Sequence, residues 1–179
     1  GGWRRYHDRH GHEVATLRMS MPINVRSDDT ADQAGNQFAP ARFVVPLGIT
    51  DPVERMATIH RLVDEARTEP ALALLDPMAG LLNRFPKEVA TGLFGSVMRG
   101  IDFTASNVPG APIPLYLAGS EFLGQYAFGP MAGAACNITL LSYLNDLNIG
   151  FNTDPAAVAD PDTLMESMRE SFDEILALA

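Results

Sequence analysis

Apolar and polar positions change rhythm along the chain. Apolar residues stand at Val14, Leu17, Met19, Met21, Ile23 and Val25, at a period of two from Leu17 onward. Successive side chains of an extended segment point to opposite faces, so this alternation predicts a strand within 13–26. Residues 27–37 are polar and turn-rich and predict a loop. Residues 38–47 read as a second strand, with Pro40 suited to an edge or a bend. Helical spacing follows. Asp51-Pro52-Val53-Glu54 supplies a capping carboxylate, a proline at the first helical position and an acid near the positive end of the dipole. Val53, Met56, Ile59, His60, Val63 and Ala66 then recur on one side, and Arg67 sits in the last turn. Further helical stretches cover about 70–83 and 86–99.

Short strands return after residue 100, over 101–108, 121–129, 135–144 and 147–154. Pro109-Gly110 closes the first of them with a turn. Asn145-Asp146 predicts a two-residue hairpin turn between the last two, since Asn and Asp tolerate positive φ. Asp160-Pro161 opens a last helix over 161–178, with Leu164, Met168, Phe172, Ile175 and Leu176 on one face and acids on the other. The order of strands, helices, strands and helix predicts an α/β (α+β) fold, a mixed β-sheet with helices packed on it. Residues 1–179 read as one domain, with 1–12 the end of a helix already under way and a loop.

Composition narrows the classes. A length of 179 residues, 46% hydrophobic and 20% charged, suits one globular domain with a real core. The net charge of −9 argues against nucleic acid as a partner. Its distribution is uneven: Arg169 is the one base after residue 100, and the acids of that part look like a face toward solvent or a partner. One cysteine, Cys136, can form neither an internal disulfide nor a cysteine zinc site. No apolar run reaches the roughly 18–20 residues that span a bilayer.

Candidate chemistry is sparse. His7, His10 and His12 could ligate a metal, but HExxH is absent and a solvated polar segment is the preferred reading, so no metal is expected. His60 is expected half-buried on the apolar side of its helix, and Cys136 as an inert core thiol. GxSxG, GxxxxGK[ST] and GxGxxG are absent. Ser106 and Asn107 interrupt a strand just before Pro109-Gly110. They could present a hydroxyl and an amide to a cleft, or serve the turn alone.

The segments PINVRSDDTADQAGNQF, DPVERMATIHR, TASNVPGAPIPLYLAGSEFLGQYAFGP and CNITLLSYLNDLNIGFNTDPAAVADPDTL occur in that order. Together they resemble the C-terminal domain of the bacterial wax ester synthase/acyl-CoA:diacylglycerol acyltransferases, from about residue 14 to the end. SNVPGxPxPLYLAG and NIxxxSYxxxLxxG are the specific stretches. The resemblance implies one half of a two-domain, CoA-dependent acyltransferase fold. An HHxxxDG motif on the N-terminal half supplies the general base, acyl-CoA is the co-substrate, no cofactor is held covalently, and the C-terminal half lines the substrate tunnel. Here the four histidines include no adjacent pair, HHxxxDG is absent, and no catalytic residue is assigned.

By position, the resemblance assigns substrate contacts to Ser106, Asn107, Asn137 and Ser142, with Tyr143 in the same stretch. It assigns structural roles to Arg26, Gly35, Asn36, Pro109, Gly110 and Gly150. Any contact with CoA phosphates is expected before residue 100, where the other bases lie. The chain is expected to be a fragment, a cleaved product or one chain of a split enzyme. It would be inactive without its HHxxxDG-bearing partner half, and cytoplasmic, with peripheral contact to membrane or lipid bodies left open. The rival reading is a non-catalytic acyl-lipid-binding or partner-docking module.

Overall fold

The structure is a computed structural model that describes residues 1–24, 38–68, 100–131 and 133–178. The expected loop 27–37, the helical stretches 70–83 and 86–99, and Arg26, Gly35 and Asn36 lie outside the described residues. The described elements are α1 (Gly2–Arg9), β1 (Thr16–Asn24), β2 (Phe38–Pro46), α2 (Pro52–Arg67), β3 (Phe103–Val108), β4 (Tyr116–Leu117), β5 (Ser120–Glu121), β6 (Cys136–Tyr143), β7 (Asp146–Thr153) and α3 (Pro161–Leu176). Five strands form a mixed sheet in the order β2-β1-β3-β6-β7, and β4-β5 is a separate two-stranded ribbon. β1, β3 and β6 run parallel, while β2 and β7 are antiparallel edges. Pro40 and Pro46 lie in edge strand β2, where a missing N–H costs no central ladder bond.

Strand alternation divides the sheet into an apolar and a polar face. Met19, Ile23, Phe43, Val45, Phe103, Cys136 and Ile138 pack with Tyr6, Ala66, Leu164 and Met168 into one core, so the three helices form a layer on that side. Both long helices start as the Asp-Pro pairs predict. Asp51 Oδ1 accepts from Glu54 N at 2.8 Å, and Asp160 Oδ1 accepts from Thr163 N at 3.0 Å.

Four expectations are corrected. In α2 the buried stripe is Arg55 and Ala66, with Ile59, Leu62 and Val63 packed beside it. Val53 is 56% exposed, and the His60 side chain is 77% exposed beside Asp64 at 3.1 Å. The helix is turned by about one position because Arg55 can bury its stem while its guanidinium donates to Ile49 O, Thr50 O and Glu174. The acids of α3 form a solvated face only in part, since Asp162, Glu166 and Asp173 are exposed while Glu170 and Glu174 are half-buried in ion pairs. Glu166, Glu170 and Glu174 recur every fourth residue and meet Arg9, Arg5 and Arg55, with Arg9–Glu170 at 2.6 Å and Arg55–Glu174 at 2.8 Å. Gly2 lies so close to Met168 that a Cβ would stand 2.9 Å from its Cα, which brings α1 and α3 within reach of these pairs.

The hairpin between β6 and β7 turns at Leu144-Asn145, because Tyr143 pairs with Asp146. The positive φ therefore falls on Leu144, at 52°, and its N–H donates to Ala111 O at 3.0 Å. Residues 122–129, expected as part of a strand over 121–129, make no ladder. Phe122, Gln125, Ala127 and Gly129 are partly covered, while Leu123, Gly124, Tyr126 and Phe128 are exposed.

The Arg55 guanidinium, then that of Arg5, holds the Glu174 carboxyl below its ordinary value of 4.5. A depressed carboxylate stabilises the fold above its unfolded pKa and loses that contribution as pH falls through the folded value. Stability is therefore expected to drop as pH falls below about 4.5, and Glu174→Gln should lower stability at pH 7 and flatten that acid limb. Urea melts at pH 7 and pH 4 check both, and an unchanged acid limb in the variant would contradict the assignment.

Candidate functional site

β3 and β6 are parallel, so the chain leaving β3 at Val108 must cross back before β6 begins at Cys136. A helix usually makes such a crossing. Here the described residues of 109–135 do it with no helix, only the β4-β5 ribbon and turns, and we term this segment the arm. A connection of that length without a helix is uncommon unless it carries function.

The arm lies on the sheet through side chains of β6 and β7. Asn137, buried on the polar face, is the central tie. Its Oδ1 accepts from Gly129 N at 3.0 Å and from Thr139 Oγ1 at 2.9 Å, and its Nδ2 donates to Thr104 Oγ1 at 2.6 Å. Asn152 Nδ2 donates to Gly129 O at 3.4 Å. Ser142 Oγ accepts from Gly110 N at 2.9 Å. The Tyr143 hydroxyl accepts from Leu115 N and donates to Phe122 O, both at 3.0 Å. Glycine is required at two of these approaches. A Cβ on Gly110 would collide with the Ser142 carbonyl oxygen, and one on Gly150 with the Ala127 carbonyl oxygen.

Ser106, Asn107 and Ser142 stand toward the carboxyl ends of β3 and β6 and Asn137 at the amino end of β6, so they do not form one constellation. Ser106 pairs with Thr139 and shares the polar face with Thr104 and Asn137. Asn107 pairs with Leu140 and points to the helix side at the exposed strand end. Asn137 and Ser142 direct their hydrogen bonds to the arm, as does Tyr143. Pro109 is exposed where the arm departs, and Gly150 lies beneath Ala127. Buried Ser20, Thr104, Asn137 and Thr139 make the centre of this face polar, a feature that a one-dimensional alternation pattern does not reveal because Ser and Thr read simply as polar.

The arm's outer side is apolar. Ile113, Tyr116, Leu117, Leu123, Tyr126 and Phe128 are all exposed, Leu123 to 93%. An apolar face is expected of one half of such an enzyme, but its place on this segment was not foreseen, because 121–129 reads as a strand. Its signal was present in SEFLGQYAF, where Leu123, Tyr126 and Phe128 are the exposed apolar members.

The remaining candidates lie elsewhere. His7 stacks on Trp3 at the opposite, amino-terminal end of the parallel strands, and burial, then neighbouring His12 and His10, holds its imidazole below the ordinary value. His10 Nδ1 stands 2.8 Å from Tyr6 O, and its Nε2 is 3.7 Å from Asp160. Among the described residues no group of three or more His, Cys, Asp or Glu is placed to hold a metal ion, and no helix is long and apolar enough to cross a membrane. Burial pushes the Cys136 thiol up to about 12, as an inert core residue requires. Arg18, one of the bases considered for CoA, instead clamps Asp102 with both charged arms, at 3.1 and 2.6 Å.

Comparison with known proteins gives a consistent set of likenesses. The profile described as the WS/DGAT C-terminal domain matches residues 34–176. A Mycobacterium tuberculosis protein named as a diacylglycerol O-acyltransferase is 38% identical over all of this chain and 36% of its own length. A Mycobacterium bovis protein of the same name is 25% identical over 92% of this chain. The chain thus spans little more than a third of these relatives. In fold, it superposes on the wax ester synthase/diacylglycerol acyltransferase from Marinobacter aquaeolei VT8 with a TM-score of 0.63 at 23% identity, covering 97% of this chain and 39% of that one. The starter condensation domain of rhizomide synthetase gives a TM-score of 0.51 at 16% identity, covering 99% and 41%.

Removing the Asn137 amide would leave buried Thr104 and Thr139 hydroxyls and the Gly129 N–H short of a partner. Asn137→Ala is expected to cost about 3 kcal/mol or more, since three bonds are lost and each unmade buried bond costs roughly 1–3 kcal/mol. Urea denaturation of the pure variant measures this, and a loss below about 0.5 kcal/mol would mean the tie is not made.

Proposed function

Because the chain belongs to the WS/DGAT C-terminal domain family of acyltransferases, we propose that it is the C-terminal half of an O-acyltransferase moving a fatty acyl group from acyl-CoA to an alcohol or diacylglycerol. Residues 1–179 act as one domain and are inactive without an HHxxxDG-bearing half. The observation that carries this reading is the apolar arm, a large exposed patch of the kind that marks an interaction surface. It stands in a chain that covers 36% of its relatives' length.

In the assembled enzyme, the imidazole of the other half takes the proton from the acceptor hydroxyl. The oxygen attacks the thioester carbonyl, and the tetrahedral oxyanion collapses with cleavage of the C–S bond. CoA leaves as the thiolate and takes the proton back from the imidazolium. This half supplies a wall of the substrate tunnel. Ser106, on the polar face, offers a hydroxyl to the acceptor or the oxyanion, and Asn107 an amide at the open strand end. Asn137 and Ser142 contribute by holding the arm against the sheet. Among the described residues, Arg42, exposed on the same face opposite Ser20, is a base placed to meet CoA phosphate.

The test is acyl transfer from labelled acyl-CoA to hexadecanol and to diacylglycerol. The chain alone is expected to form no ester, and the chain joined to its HHxxxDG half to form one. Transfer by the chain alone would refute the division of labour. A folded, assembled pair without transfer would favour the docking-module reading. In the assembled enzyme Asn107→Ala should lower kcat/KM at least ten-fold with folding intact, and an unchanged value would remove Asn107 from the site.

A further inference from the structure

We infer that Tyr143 is the positioning residue of the arm, its hydroxyl setting the apolar face on which the other half of the enzyme docks. This rests on the proposed two-half enzyme. The ring is almost fully buried in β6, and its oxygen reaches both legs of the ribbon at their root. It accepts from Leu115 N and donates to Phe122 O, across the rung in which Phe122 N donates to Leu115 O at 2.9 Å. All four residues of β4 and β5 are exposed, and they are joined through Ala118 and Gly119 at φ 50° and 84°, a two-residue turn of the primed kind. A two-stranded ribbon alone is marginal in water. Tyr143 fastens this one to the sheet at its root, while its apolar side chains, Tyr116 and Leu117 among them, stay uncovered.

The chemistry of that side selects the occupant. Residues 109–131 contain no Lys or Arg, and Glu121 is their one acid. Such a surface has no attraction for CoA phosphates or anionic lipid, and it matches a protein face of low charge. The relatives have nearly two thirds of their length outside the matched region, which supplies that face within the same enzyme.

The experiment is hydrogen–deuterium exchange by mass spectrometry on the complete enzyme, this chain joined to its HHxxxDG half. Wild type, Tyr143→Phe and the double variant Leu123→Asp/Phe128→Asp are compared. Tyr143→Phe keeps the ring and removes only the pin. Arm amides over 109–131 are expected to exchange at least ten-fold faster, with β3 and β6 amides unchanged. The double variant should speed arm exchange similarly by breaking the docked face. If the double variant speeds exchange and Tyr143→Phe does not, the inference about Tyr143 is overturned and the docking reading stands. If the double variant exchanges like wild type, the docking reading falls. Faster exchange throughout β3 and β6 in Tyr143→Phe would also overturn the inference, because the hydroxyl would then serve the core as a whole.

Discussion

A chain that leaves β3 at Val108 and must begin β6 parallel to it at Cys136 has to find partners for the backbone between them. In most parallel pairs a helix satisfies its own N–H and C=O groups during the crossing. Here the partners are side chains of the sheet. Asn137, Ser142 and Tyr143 stand on successive stretches of β6 and take up backbone groups of Gly129, Gly110, Leu115 and Phe122. The glycines follow from the same constraint, because backbone this close to backbone leaves no room for a Cβ at 110 or 150. With its inner side held by polar contacts, the arm presents its apolar side chains outward.

Charge is arranged for the opposite layer. Arg5, Arg9 and Arg55 are matched by a row of glutamates on α3, so the imbalance between the two parts of the sequence becomes a contact between α1, α2 and α3. Such partly exposed pairs are worth little singly, but the shared carboxylates of Glu170 and Glu174 make them a network. The helix layer is thereby fixed by pairs at its margin, with buried Arg55 and Ser167 drawn into the same set of contacts. The polar face of the sheet is left to the arm and to the carboxyl ends of β3 and β6, the edge where open α/β sheets bind their ligands.

Much of this was legible in the chain. The alternation from Leu17 to Ile23, the two Asp-Pro helix starts and the apolar row Leu164, Met168, Phe172 each depend on local periodicity, and each formed as expected. What failed depends on partners distant in sequence. Arg55 displaces Val53 and His60 from the buried side of α2 because Glu174 lies across from it. Residues 122–129 alternate like a strand but lie flat on side chains rather than on a ladder. The hairpin turn shifted by one residue, since strand register, not turn preference, decides that Tyr143 faces Asp146. At the candidate site, the chain alone could not tell that Ser106 and Asn107 face opposite sides, or that Asn137 and Ser142 are turned to the arm.

The central claim is that the arm's apolar side is covered by the other half of the same enzyme. Maleimide labelling of Leu123→Cys in the complete enzyme tests it most directly, because the one native cysteine of this chain, Cys136, is fully buried and Leu123 is 93% exposed here. The account predicts labelling at Leu123→Cys at least ten-fold slower in the complete enzyme than after denaturation. Labelling in the native enzyme as fast as in the denatured one would contradict it.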